Sequence, residues 1–428
     1  MKVLIVSHNV LSPFENMGTT LMEIFKSFGS ENIAQLYIHS EVPTDKSVCT
    51  NYYRFTDTDA LKSIIPVHKH GRSFTEQDIE IDKGTSRTDS GITGEIYQFG
   101  RKRTGFIYFA RNMVWKCSHW FTKELKQWLL DFSPDVIFFA SGDYAFTYNI
   151  TLKISEFLNI PVVVYCCDDF FLFNPNEKSF IGRYVNKNLV KTAKKLFNKA
   201  LFGTAICDSM ANEYEKLFNK KFRVLYTGAE NKKLNFKPER DRISYIGNIS
   251  YDRCIQLADM GKALLKLNRQ SEPKMIDVYS GEKNPECLKY MTEENGIRFH
   301  GRISRDQVTD VMENSMAVIH TESFNEKYME QIRFSVSTKI AESMMYGPCL
   351  IAYGPQGIAS MDYLRDNDTA FIMNTNDELE SGLSKIINDD ELRNSIVSRA
   401  RKLAENNHDS QNNSLNLKTW MEDALTGR

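Results

Sequence analysis

Phe334-Ser335-Val336-Ser337-Thr338-Lys339-Ile340-Ala341-Glu342-Ser343-Met344-Met345-Tyr346-Gly347-Pro348-Cys349-Leu350-Ile351-Ala352 reads as a capped helix running straight into a buried strand. Ser337 or Thr338 is a natural N-cap, and Gly347-Pro348 stops the helix. The free N–H groups and positive dipole end at its start suit a phosphate. Lys339, in the first turn, opposes that dipole unless an anion sits between them. Glu342 lies one turn further on, where a carboxylate can accept hydrogen bonds from a diol such as ribose. The same residues also fit an ordinary capped helix with a surface Lys and Glu.

Working outward, short apolar runs alternate with amphipathic stretches on both sides. Downstream of residue 242 the strands are Ile243–Ile246, Met275–Tyr279, Ile297–Phe299, Met316–His320, Cys349–Ala352 and Ala370–Ile372, with helical patterns between and after them. Upstream the same grammar appears. Strands Val3–Val6, Ile33–Ile38, Asp135–Ala140, Pro161–Cys166, Ala205–Cys207 and Phe222–Leu225 alternate with helices at Gly18–Phe28, Met113–Leu130, Phe146–Leu158, Val185–Ala200 and Met210–Phe218. Continuous Val/Ile-rich strands separated by helices imply parallel sheets covered on both faces, and right-handed crossovers make them Rossmann-like. The fold class is therefore α/β, with two tandem Rossmann-like domains and an inter-domain cleft as the default ligand site.

The expected divisions are an N-terminal domain over 1–228, a polar linker over 229–241, a C-terminal domain over 242–406, and a last helix over 407–428 packing back on the first domain. Residues 68–105 interrupt the alternation. They are rich in Gly, Ser, Thr and charge, and read as a mobile insert or an acceptor-side lid.

A chain of 428 residues agrees with two or three domains. With 42% hydrophobic and 25% charged residues it is neither mainly disordered nor collagen-like. Its net charge of −1 gives no global field for nucleic acid. The eight cysteines show no zinc spacing and no disulfide framework, as in a reduced cytosolic protein. The apolar run in Met1-Lys2-Val3-Leu4-Ile5-Val6-Ser7-His8-Asn9 is shorter than a signal peptide needs, and no stretch has the length of a membrane span.

Two further features bear on chemistry. Asp168-Asp169 follows the strand Pro161–Cys166 at its carboxyl end, where the pair could line an acceptor site or form a solvated turn. Basic and aromatic residues interleave: Arg101, Lys102, Arg103, Arg111, Lys116, Lys123 and Lys126 run among Phe106, Tyr108, Phe109, Trp115, Trp120 and Phe121. Arg183–Ala200 carries six basic residues and no acid. Such a stretch is either a solvated basic face or a docking face for anionic lipid.

On these motifs the chain resembles the GT-B-fold glycosyltransferases, most closely the retaining family 4. Ser337, Lys339, Glu342, Met345, Gly347 and Pro348 stand in the order of that family's Ser-x-Lys-x-x-Glu pattern. Tyr245-Ile246-Gly247-Asn248 with Arg253 resembles the loop whose basic residue touches the donor diphosphate, and Gly296–Ser304 resembles the base-binding segment. Asn16-Met17-Gly18 resembles the first glycine-containing loop, placing Gly18 on the acceptor side. The family's first glutamate falls on Phe334, with Glu326 and Glu330 nearby, and its usual His-Asp pair is replaced by Asp168-Asp169.

The resemblance implies transfer of a sugar from a nucleotide-diphosphate donor to a glycan, lipid-linked or other hydroxyl acceptor, with retention, in cell-surface or capsular polysaccharide synthesis. It implies Gly247, Arg253, Gly301, Arg302, Ile303, Ser337, Thr338, Lys339 and Glu342 on the donor side, and Asp168 or Asp169 as catalytic. No cofactor and no metal are expected, because such enzymes neutralise the leaving diphosphate with basic residues and a helix end. The expected setting is the cytoplasm, at the inner face of the membrane where an anionic surface presents the acceptor. Nucleic acid is not an expected partner. Two rivals remain: a catalytically weakened subunit that binds a partner or glycan, favoured by Phe334, and a sugar-nucleotide epimerase.

Overall fold

A computed structural model of the chain describes residues 1–14, 16–65, 70–81, 104–231, 241–267 and 274–427. They fall into two units, Met1–Tyr226 with Asn413–Arg428, and Thr227–Asn412.

The first unit holds, among the described residues, strands β1 (Val3–Ser7), β2 (Ile33–Tyr37), β3 (Asn51–Arg54), β4 (Arg72–Phe74), β5 (Val136–Ala140), β6 (Val162–Cys166), β7 (Ala200–Ala205) and β8 (Phe222–Val224). Their order in the sheet is β4-β3-β2-β1-β5-β6-β7-β8. All neighbours are parallel except β4, which runs antiparallel to β3. Every residue of β1, β2, β5 and β6 is buried, which is what helices on both faces of a parallel sheet require. β1 lies between β2 and β5, so the winding reverses there.

The second unit contains β9 (Arg242–Ile246), β10 (Ile276–Tyr279), β11 (Ile297–Gly301), β12 (Ser315–Thr321), β13 (Cys349–Tyr353) and β14 (Phe371–Met373). These form an all-parallel sheet in the order β11-β10-β9-β12-β13-β14. Here β9, between β10 and β12, marks the reversal. Ligands bind such sheets outside the carboxyl ends of the strands at the reversal.

The helix Ser410–Thr426 joins the first unit from Asn413 onward. Asn413 Nδ2 donates to the Tyr226 carbonyl at 3.1 Å, and Ser414 Oγ accepts from the Ser27 N–H at 3.1 Å. Leu417 and Met421 are fully buried.

Several local expectations come out differently. The pattern over Met113–Leu130 is two helices, Gly105–Cys117 and Lys123–Phe132. Thr122 starts the second by accepting from Leu125 N–H at 3.1 Å, a competing cap inside a continuous apolar pattern. The strand read at Ala205–Cys207 is instead Ala200–Ala205, which follows the helix Phe180–Lys199 without a loop residue. Within the segment read as a linker, Ala229 is buried and bonded on both sides to 408–410, while 232–240 lie outside the described residues. Within the insert, β4 adds an edge strand; 68–69 and 82–103, with Arg101, Lys102 and Arg103, lie outside the described residues.

Candidate functional site

The residues expected on the donor side follow the carboxyl ends of strands in the second sheet. After β9 the chain runs Gly247-Asn248-Ile249-Ser250-Tyr251-Asp252 into a helix that begins at Arg253. Tyr251 (φ 58°) and Asp252 (φ 60°) are consecutive left-handed residues, an arrangement side chains pay for in strain. The surroundings hold them there. Gln331 Nε2 donates to the Tyr251 hydroxyl at 3.3 Å, Asn325 Nδ2 donates to Asp252 Oδ2 at 3.1 Å, and the Ser250 hydroxyl donates to Glu282.

This turn aims Arg253 at the end of β12. Its Nε and Nη2 both meet Glu322 Oε2, at 2.9 and 2.7 Å. The pair is nearly dry, with side-chain exposures of 14% for Arg253 and 2% for Glu322. Burial raises the Glu322 pKa, against the pull of Arg253. Beside them His320 Nε2 lies 3.0 Å from Ser360 Oγ and 3.5 Å from Glu322 Oε1. Burial first, and Arg253 second, push His320 down to about 3, so it is a neutral imidazole. Glu322 is the residue the sequence reading passed over. A lone Glu after a strand carries no signal, because its partner is 69 positions away.

The helix Thr338–Tyr346 lies beyond β12 and leads into β13. Ser337 is its cap, accepting from Lys339 N–H at 3.3 Å, and Gly347 at φ 92° ends it. Lys339 Nζ donates to Glu342 Oε2 at 2.5 Å, so the two charges assigned to the donor satisfy each other along the helix. Phe334, at the place of the usual first glutamate, is buried under the Arg333 guanidinium, 4.2 Å from its ring centroid. Glu326 and Glu330 are exposed. Gly301 (φ 71°) turns the chain after β11 into Arg302 and Ile303, and the neighbouring Tyr279 and His300 rings stack at 4.6 Å.

In the first unit the adjacent aspartates separate. Asp169 Oδ1 accepts from Phe171 N–H (3.2 Å), Leu172 N–H (3.0 Å) and the Tyr214 hydroxyl (3.0 Å), tying down its own loop. Asp168 is exposed and accepts from the Asp169 N–H at 2.8 Å. Gly18 permits a close approach: a Cβ there would stand 2.5 Å from the Val10 carbonyl oxygen. At the β1/β5 reversal lies a cluster the sequence did not announce. Arg111 Nε donates to Asp57 Oδ1 at 2.9 Å, and its Nη2 donates to His8 Nε2 at 2.9 Å. Burial, then Arg111, bring His8 to about 3, so its proton rests on Nδ1.

Among the described residues no group of three or more His, Cys, Asp or Glu could hold a metal ion, and no helix is long and apolar enough to cross a membrane.

Two α/β units with parallel-dominated sheets are the architecture of the GT-B fold. The comparisons agree. Residues 215–419 match the family described as glycosyl transferase-like. No curated protein matches the sequence. Anabaena HepE, solved in complex with UDP, is 13% identical, with a TM-score of 0.63 over 99% of this chain and 100% of that one. Sucrose-phosphate synthase from Thermosynechococcus elongatus is 8% identical, with a TM-score of 0.61 over 100% of both chains. WaaG, a glycosyltransferase involved in lipopolysaccharide biosynthesis, is 12% identical, with a TM-score of 0.54 over 94% of this chain and 95% of that one. The chain therefore has the GT-B fold, with a glycosyl transferase-like match over residues 215–419.

Proposed function

We propose that the protein transfers a glycosyl group from a nucleotide-diphosphate sugar to a hydroxyl acceptor, in the synthesis of a surface or capsular polysaccharide. The observation that carries this is the Arg253–Glu322 pair at the reversal of the second sheet. It is a cation held in fixed geometry where such sheets receive ligands. The HepE complexes with UDP and UDP-glucose make a uridine donor the first to try.

In this reading Arg253 and Lys339 hold the diphosphate, and the N–H groups opened by Ser337 and Thr338 add donors. Lys339 exchanges its Glu342 partner for phosphate, which frees Glu342 for the ribose. The turn Gly301-Arg302-Ile303 meets the base. Asp168 faces the acceptor hydroxyl, and the leaving phosphate oxygen takes its proton as the sugar is transferred with retention. The positive groups stabilise the leaving diphosphate, so the reaction runs without a metal.

Burial of Phe334 where a carboxylate usually meets the donor sugar favours a second reading, a weakened subunit that binds donor without transferring it. One assay separates them. The full chain is given UDP-, GDP- and dTDP-sugars with a panel of hydroxyl acceptors in EDTA, and nucleotide release, product and donor binding are followed. Transfer that persists in EDTA supports the proposal, and binding without transfer supports the second reading. Absence of nucleotide-diphosphate binding overturns both.

A further inference from the structure

The end of β12 carries two buried polar residues on one side. His320 and Glu322 are two positions apart, so on extended backbone they share a face. The Glu322 N–H extends the ladder to the Tyr353 carbonyl at 3.1 Å. A third buried group comes from the helix Ala359–Asp366, where Ser360 stands in the first turn. The start of that helix is held by the Ala359 N–H, which donates to the Arg333 carbonyl at 2.7 Å. The loop before it passes close to Glu322: a Cβ on Gly354 would lie 3.2 Å from the Glu322 nitrogen. His320, Glu322 and Ser360 are all buried, so their hydrogen bonds are made within the protein.

Counting protons fixes the direction of these bonds. Arg253 only donates, and its Nε and Nη2 both go to Glu322 Oε2. As the partner of a guanidinium, Glu322 is a carboxylate and only accepts; the Ser360 hydroxyl is a donor to it. A serine hydroxyl has a single proton, so with that proton on Glu322 its oxygen is left as an acceptor. His320 Nε2 lies 3.0 Å from that oxygen. Two lone pairs at this separation repel, and a neutral imidazole has a single N–H, so the proton sits on Nε2. Imidazole, hydroxyl and carboxylate form a one-way chain that ends on the guanidinium.

The terminal torsion of a glutamate is soft, and Arg253 grips only one of the Glu322 oxygens. A second donor, from Ser360, pins the plane of the carboxylate and with it the guanidinium. Two of the five guanidinium N–H groups are spent on Glu322, and the others are what the reading above offers to the diphosphate.

We propose that Ser360 and His320 are positioning residues of the donor site. His320, with its proton on Nε2, donates to Ser360, Ser360 donates to Glu322, and Glu322 so oriented holds Arg253 in the geometry that binds the diphosphate. This rests on the reading above that Arg253 meets the diphosphate of the donor, and it adds two residues that touch neither donor nor acceptor.

The test is a cycle of variants of the full chain, read by calorimetric titration with whichever of UDP, GDP and dTDP the wild type binds most tightly. Ser360→Ala and His320→Leu each weaken binding about tenfold, the worth of one buried hydrogen bond. His320→Gln places an amide N–H where the imidazole N–H stood and keeps the wild-type affinity. In the Arg253→Met, Glu322→Leu background Ser360→Ala costs no further affinity, because the residue it acts through is gone. An NMR spectrum of isotope-labelled histidine, with the His320 signal assigned by its loss in His320→Gln, shows the Nε2–H tautomer. An Nδ1–H tautomer overturns the proposal. So does wild-type affinity in Ser360→Ala, whatever its melting temperature, or an equal loss in the background without Arg253, which is what a purely structural role gives. Should Ser360→Ala not fold, the tautomer and the two His320 variants decide. A wild-type chain that binds none of the three nucleotides overturns the donor-site reading and this assignment with it, whereas binding with indifferent variants overturns this assignment alone.

Discussion

Replacing Glu322 by Gln keeps its shape and removes its charge, leaving the Arg253 guanidinium nearly buried without a counter-ion. Breaking a buried pair from one side costs about 3–5 kcal/mol. Arg253 keeps 14% of its side chain in water, so the lower end applies, about 3 kcal/mol. That is a large share of the 5–15 kcal/mol typical of a folded domain. With a urea m-value of about 3 kcal/mol/M, the midpoint falls by about 1 M. Urea unfolding of the full chain, followed by circular dichroism, reads it. The double variant Arg253→Met, Glu322→Leu removes both charges and returns to within about 1 kcal/mol of wild type. Arg253→Met alone strands the carboxyl of Glu322, whose pKa burial already raises. An acid raised in the folded state loses stability as pH rises, so this variant is penalised more at pH 8 than at pH 5. A Glu322→Gln midpoint equal to wild type, or a double variant no better than the single, refutes the reasoning.

Three other outcomes follow from the site and its supports. Lys339→Ala weakens nucleotide-diphosphate binding by about 1.5–3 kcal/mol, the worth of a charge-assisted hydrogen bond, and calorimetry on the folded variant measures it. Asp168→Asn lowers kcat with donor affinity and melting temperature kept, whereas Asp169→Ala lowers the melting temperature, because two N–H groups lose their acceptor and the Tyr214 hydroxyl is left with the Asp168 carbonyl at 3.3 Å; equal melting temperatures would merge the two roles. His408 is neutral, donating from Nδ1 to the Thr227 carbonyl and accepting at Nε2 from Tyr363, and burial brings it from 6.5 to about 4. A base lowered in this way stabilises above pH 6.5 and loses that contribution as pH falls toward 4, up to about 3 kcal/mol, so the gap between wild type and His408→Gln narrows at pH 4.5 in urea unfolding.

The sheet architecture was legible because burial on both faces writes itself locally. Val162-Val163-Val164 needs no partner to be identified as a central strand, and Gly347-Pro348 stops a helix wherever it occurs. The cap at Ser337 was legible for the same reason: cap, helix and stop lie within a dozen residues. The strands β3 and β4 were not, since Asn51-Tyr52-Tyr53-Arg54 and Arg72-Ser73-Phe74 mix polar and aromatic residues without a continuous apolar run.

By itself, then, the sequence determined the alternation of strands and helices, the two Rossmann-like halves, and the Ser337-Lys339-Glu342 helix start that points to a phosphate. Only the tertiary structure decided which charges meet. Arg253 finds Glu322 across 69 positions, Arg111 finds Asp57 across 54, and of two adjacent aspartates Asp169 turns inward while Asp168 faces water. Helices and strands are set by short-range periodicity and backbone hydrogen bonding. Ion pairs and pKa shifts arise from distance and burial, which the strand order imposes on residues far apart in the chain.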